Sequence, residues 1–298
     1  MKSSFLFPHK LRVVGWILFL CGLALGAACL IWEFEIPGFG YKMRETGSLI
    51  QSSFENFTNE LALMLVVSGL LITAFSKEKV EDELIAKIRA NSLYWAILVG
   101  FAVRFGSLLI QMSYYQMHQH TKLLEGYWLN IEKVFGVMSY SIFFVPLLIF
   151  KLRFQYLLHR SNDIYALDRL YYLPKRPYRL IAILLSVPLV YIYFYCLVNL
   201  FVPDYLSVIS IFASVPLIVW VYTKEDNEDE FITTLRLKSM QIAVCGYYCF
   251  LLIANLFLYS IAFLWALLPS IEIIAIIFLI SFNWRLSRYK RVKGGLAS

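Results

Sequence analysis

Eight carboxylates stand in two tight groups: Glu78, Glu81, Asp82 and Glu83, then Glu225, Glu228, Asp229 and Glu230. Each group is followed at the same distance by an arginine, Arg89 or Arg236. Clustered oxygen donors suit magnesium, calcium or manganese. An arginine on the same helix face would oppose such an ion, so no metal is assigned here. Two other readings follow from the same residues. Acids early in a helix and a base later complement the helix dipole, which makes each group a structural cap. Alternatively, the charged residues form a docking surface for a soluble or membrane protein partner, carried by Glu78, Glu81, Asp82, Glu83, Arg89, Glu225, Glu228, Asp229, Glu230 and Arg236.

The two groups belong to one phrase that occurs twice. Lys77-Glu78-x-x-Glu81-Asp82-Glu83-x-Ile85-x-x-x-Arg89-x-x-Ser92 recurs 147 residues later as Lys224-Glu225-x-x-Glu228-Asp229-Glu230-x-Ile232-x-x-x-Arg236-x-x-Ser239. A cap requires only acidic character, whereas both copies keep the order Glu-Asp-Glu with Arg and Ser in register. No Gly or Pro falls between Glu81 and Gly100 or between Glu228 and Gly246. Each phrase is therefore expected to be helical and continuous with the apolar segment after it. Steps of four, three, four and three would then place Glu78, Asp82, Ile85, Arg89 and Ser92 on one stripe.

The elements that must position these residues are membrane helices. The chain is 60% hydrophobic, 17% aromatic and only 16% charged, with a mean hydropathy of +0.68. That is too much apolar surface for a soluble fold of this size. A spanning helix takes about 20 mostly apolar residues. Eight segments qualify, near 11–32, 59–76, 93–115, 134–151, 179–199, 205–222, 240–264 and 269–284. The fold class expected is all-α, a polytopic membrane protein built as two parallel four-helix repeats, 1–155 and 156–298. Pro8-His9-Lys10-Leu11-Arg12 before the first segment and Arg176-Pro177-Tyr178-Arg179-Leu180 before the fifth add a weaker sign of the same repeat. No room is left for a separate soluble enzyme domain.

Basic residues mark the cytoplasmic side. With both termini and both phrases cytoplasmic, 22 of the 27 Lys and Arg lie on that side or at its edge; Lys42, Arg44, Lys122 and Lys133 lie opposite and Arg104 lies within the bilayer. The formal net charge of +7 is then mainly a topology signal. Arg285, Arg288, Lys290, Arg291 and Lys293 are expected to meet anionic lipid head groups, with no direct nucleic acid binding. The localisation expected is an inner membrane.

Arg104 is the one basic residue in mid-span. A central Arg costs roughly 2.5 to 3.5 kcal/mol to insert, so it should face other helices and have a partner. Glu60 and Glu272 are candidates, with Gln111 two turns along the same face. Either a structural pair or a solute path fits, and the equivalent position in the second half is Leu251. All five cysteines, Cys21, Cys29, Cys196, Cys245 and Cys249, fall in apolar segments and read as small apolar residues. Neither Cys245 with Cys249 nor His118 with His120 supplies enough ligands for a metal site. No nucleophile elbow, P-loop, HExxH helix or dinucleotide glycine fingerprint is present. No enzyme activity and no cofactor are assigned.

The phrase from Ser76 to Arg89, the opening around Phe7 to Trp16, and Phe57-Thr58-Asn59-Glu60 resemble small bacterial four-helix membrane proteins of unknown function. Those proteins are about half this length, so the chain looks like a tandem version whose first half is the closer match. The resemblance implies a bacterial inner membrane protein and no particular activity. The second half departs from it by placing Asp226 and Asn227 where the first has Lys79 and Val80. The function expected is a scaffold or regulator that docks a partner through the duplicated charged segments. The alternative is a small-solute or ion transporter or channel with Arg104 in the path. Docking predicts that charge reversal at Asp82, Arg89, Asp229 and Arg236 removes the partner; transport predicts that Arg104 dominates.

Overall fold

The computed structural model describes residues 6–40, 56–120, 144–160, 170–199, 203–226, 229–258, 263 and 266–295. Among them are eight helices: α1 (Leu11–Trp32), α2 (Thr58–Ala74), α3 (Glu83–His120), α4 (Val145–His159), α5 (Tyr178–Asn199), α6 (Pro203–Val221), α7 (Glu230–Phe257) and α8 (Ser270–Gly295). No strand occurs among the described residues, only isolated bridges. The chain is all-helical. Its fourth expected span, 134–151, lies partly outside the described residues.

Five helices hold stretches long and apolar enough to cross a membrane: Leu11–Trp32, Glu83–Ile110, Tyr178–Asn199, Phe231–Phe257 and Ser270–Arg291. Their outward faces carry large apolar side chains such as Ile17, Leu20, Leu184 and Ile280. Water would penalise that surface and hydrocarbon would not. The length and apolarity of these helices make the chain a membrane protein. Helix α2 is apolar but has 17 residues, about 26 Å at 1.5 Å per residue, a little short of a hydrocarbon core about 30 Å thick.

The chain divides into two compact units, one of residues 1–167 with 248–267 and the other of 168–247 with 268–298. In the first unit α1 lies against α2, and α4 touches both α2 and α3. The α1–α2 seam is built on glycines. A Cβ at Gly22 would stand 2.6 Å from the Val66 amide nitrogen, and one at Gly15 would stand 2.8 Å from Thr73 Cγ2. Gly69 opposes the backbone of Phe19 and Gly15 even more closely. Backbones that approach so closely gain dispersion contacts where lipid supplies no hydrophobic drive between helices. In the second unit α5 packs on α6, and α6 on α8. Tyr193, Tyr247, Phe278 and Met240 are fully buried there.

Candidate functional site

The residues just before α3 and α7 are held by short extended pairings rather than by helix. In the first unit the Phe7 amide donates to Phe75 O (2.8 Å), and the Lys77 amide returns a bond to Phe7 O (2.9 Å). In the second unit the Leu173 amide donates to Tyr222 O (2.8 Å), and the Lys224 amide to Leu173 O (2.8 Å). Each unit thus ties the strand-like lead into its first helix to the exit of its second.

Beside each pairing is an ion pair. Arg12 Nη1 donates to both carboxylate oxygens of Glu78, at 2.8 and 2.6 Å. Arg179 Nη1 donates to Glu225 Oε1 at 2.5 Å. These pairs are largely shielded, with the Glu side chains 12% and 6% exposed. They join the residue two past the bridge to the first turn of α1 in the first unit and of α5 in the second. The next acid caps a helix. Asp82 Oδ1 accepts the Ile85 amide (2.7 Å), and Asp229 Oδ1 accepts the Ile232 amide at the same distance. Both satisfy one of the orphan donors of the first turn, as an N-cap does.

The expectation that each phrase is helical from its first acid is therefore corrected. Helix α3 starts at Glu83 and α7 at Glu230. Residues 77–82 are extended or bent because backbone pairing and the Asp cap satisfy their polar groups better than another helical turn would. The stripe from Glu78 through Asp82 to Arg89 consequently does not exist. Glu78 faces Arg12, Glu81 folds back, and Asp82 holds the helix start. Glu81 Oε1 accepts both the Glu78 amide (2.8 Å) and Arg89 Nη2 (2.7 Å).

The arginines are not surface residues either. Arg89 is 7% exposed and Arg236 only 1%. Arg236 Nη1 donates to Val221 O (2.8 Å) and Nη2 to Thr223 O (3.0 Å), which satisfies carbonyls at the end of α6. Its guanidinium also lies 4.4 Å from the Tyr172 ring centroid and 4.9 Å from that of Phe282. Arg89 stands 5.2 Å from the Phe154 ring. Both are structural cations stacked on aromatic faces. Ser92 and Ser239 bond back to the carbonyls of Ile88 (2.8 Å) and Leu235 (2.9 Å), four residues earlier.

What remains outward is narrower than the full phrase. In the first unit Lys79, Val80, Asp82, Glu83 and Lys87 are exposed, with Val80 at 71%. In the second, Lys224, Asp226 and Asp229 are exposed. Asp226 pairs with Lys175, and that hydrogen bond holds its carboxyl below the usual carboxylate range. Glu228 lies outside the described residues, and Glu230 opens α7 in the first turn.

Lys151 was not singled out from sequence. It is 2% exposed, and its ammonium lies 3.4 Å from Thr73 O, near the end of α2. It sits in Phe150-Lys151-x-x-Phe154, where the second unit has Phe278-Leu279-x-x-Phe282. With leucine there, Arg236 is the cation that reaches the α6 carbonyls. A recess of about one water's size, lined by Arg179, Thr223, Glu225, Arg236, Leu279 and Asn283, occurs in the second unit. Arg12 and Arg179 were also missed as site residues, although the likeness of the two segments around them was the available signal.

The mid-span polar residues lie on three helices. Arg104 is buried in α3 at 6% exposure, and Gln111 lies two turns further along that helix. Glu60 is half-buried in the first turn of α2, where its backbone carbonyl accepts Asn255 Nδ2 (3.0 Å). Glu272 belongs to the second unit, is 1% exposed, and accepts the Ser210 hydroxyl (2.8 Å). Among the described residues no group of three His, Cys, Asp or Glu could hold a metal ion. Set beside known proteins, the chain matches no protein-family model, no curated protein and no solved structure.

Proposed function

We propose that the chain is a multipass bacterial inner membrane protein of eight spanning helices. It arose by tandem duplication of a four-helix unit and holds a partner protein at the cytoplasmic surface. Five contacts support the duplication because they recur in both units at matched residues. They are the backbone bridge (Phe7 with Ser76, Leu173 with Thr223), the Arg–Glu pair, the Asp cap, the buried Arg over a Phe ring, and the Ser back-bond. The basic-residue count supports cytoplasmic termini.

The observation that carries the docking reading is the contrast within residues 77–83. Glu78 and Glu81 are fixed inward by Arg12 and Arg89, and Asp82 fixes the helix start. Lys79, Val80 and Glu83 are left facing out. A short segment held at three points presents an exposed apolar residue flanked by charges in a preformed conformation. Preformed loops lose little entropy on binding. Affinity purification in mild detergent tests this, with wild type beside Glu83→Lys combined with Asp226→Lys. Both positions are exposed and neither caps a helix or supports a buried group. A stoichiometric partner present in wild type and lost from the folded, inserted variant supports docking. Equal recovery from both proteins rejects these surfaces as the docking face.

A further inference from the structure

The second unit carries a graded stripe along α8. Ile280 (66% exposed), Trp284 (62%), Arg288 and Arg291 follow steps of four, four and three, so they share one helix face. The face passes from aliphatic to indole to guanidinium within three turns. The Arg288 guanidinium lies 5.7 Å from the Trp284 ring. No acidic residue follows Glu272 in the sequence.

A second set of side chains in the same unit has the same character. Tyr171 (74% exposed) and Tyr178 (44%) flank exposed Arg176, and α5 then continues outward through Leu180, Ile181, Leu184 and Leu185. Arg176 and Lys290 both bear on Asp226, which is already paired with Lys175. Three cations thus surround one carboxylate, and Arg288 and Arg291 add to the surplus. An exposed aromatic between an aliphatic face and arginines is the pattern of a membrane interface, where the ring sits at head-group depth and the charge reaches outward. A protein partner would not require the aliphatic continuation on both helices.

We propose that this end of the second unit binds the phosphate of anionic glycerophospholipids, with Arg288 and Arg291 as the principal contacts and Arg176 and Lys290 raising the local potential. The site shares Asp226 with the second copy of the phrase and is independent of the Lys79–Glu83 segment that carries the docking reading. It also gives the two units different roles, because the first unit's exposed end mixes Lys79 and Lys87 with Asp82 and Glu83.

The test is native mass spectrometry of the full chain in mild detergent, titrated separately with phosphatidylglycerol, phosphatidylcholine and inorganic phosphate. A juxtamembrane arginine contributes about fivefold in affinity for an anionic surface, so R288Q with R291Q is expected to weaken phosphatidylglycerol binding about 25-fold. R288K with R291K is expected to retain most of it, and K79Q with K87Q in the first unit to leave it unchanged. Preference of wild type for phosphatidylglycerol over both other ligands, lost in the glutamine pair and kept in the lysine pair, supports the proposal. Equal binding of phosphatidylcholine, saturation by inorganic phosphate alone, or an unchanged glutamine pair overturns it. Loss in the lysine pair as well overturns it, because charge would then not be the determinant.

Discussion

Replacing Arg236 by Met separates folding from docking more sharply than any other single change. The side chain is 1% exposed, and its two terminal nitrogens bond Val221 O and Thr223 O. Hydrogen bonds to a charged group contribute about 1.5 to 3 kcal/mol each. Two of them give about 3 to 6 kcal/mol, and the faces of Tyr172 and Phe282 at 4.4 and 4.9 Å add about 1 to 4 kcal/mol to that gross loss. Removing a buried charge and burying a thioether recovers part of this, since apolar replacement of buried ions is often well tolerated. The two carbonyls remain without their donor, and a net loss of about 2 to 4 kcal/mol is expected. Glu83→Lys, on an exposed first-turn position, should cost only about 0.3 to 1 kcal/mol through the helix dipole. Unfolding by added denaturing detergent, followed by circular dichroism, reads both. Arg236→Lys should fall between, because an ammonium keeps the charge but cannot present the same two-pronged geometry. If Arg236→Met unfolds at the same midpoint as Glu83→Lys, the structural role assigned to the buried arginine is wrong.

Other consequences can be read in the same assay or by titration. Gly69→Ala gains about 0.5 to 1 kcal/mol of helix propensity, but its Cβ would meet backbone of Phe19 and Gly15 at an overpacking cost of about 1 to 3 kcal/mol. Destabilisation is therefore expected, while Gly106→Ala, with nothing within 4 Å among the described residues, should be neutral or stabilising. Asp82→Ala and Asp229→Ala should each lose about 0.5 to 2 kcal/mol as lost helix caps, and Asp→Asn should restore most of it. The Asp226 carboxyl, held low by Lys175, should titrate below an ordinary aspartate in carbon-detected NMR and return upward in Lys175→Met. Because its folded pKa is depressed, its contribution to stability is present above the ordinary aspartate range and fades as pH falls through the folded value.

The helices were legible in the sequence because a bilayer demands length and apolarity, and both are local properties. Leu11–Trp32 and Tyr178–Asn199 start and end within a residue of where hydropathy places them. The charged phrase was legible as a repeat but not in its conformation. Uninterrupted acidic and aliphatic residues favour helix, yet Glu78 is engaged by Arg12, 66 residues earlier, and Ser76 by Phe7. A propensity argument contains neither contact. The burial of Arg89 and Arg236 was hidden for a similar reason, since a guanidinium six residues past a helix start reads as surface until its carbonyl and aromatic partners are known. Charge reversal there would therefore test folding rather than docking. Glycine contact between α1 and α2 was available from Gly22 and Gly26, four residues apart, with Gly15 a heptad earlier. Its partner Gly69 emerges only from the fold.

The central claim is that residues 79–83 form a preformed protein-docking segment, and a photo-crosslinking residue at Val80 tests it most directly. Val80 is 71% exposed, so a bulky side chain there has room. Irradiation of intact cells should yield one discrete adduct with a protein partner, absent when Glu83→Lys is added and absent from a lipid-facing control at Leu184. No protein adduct at Val80, or one that survives Glu83→Lys unchanged, would contradict the account and move attention to Arg104 in α3 and to solute flux.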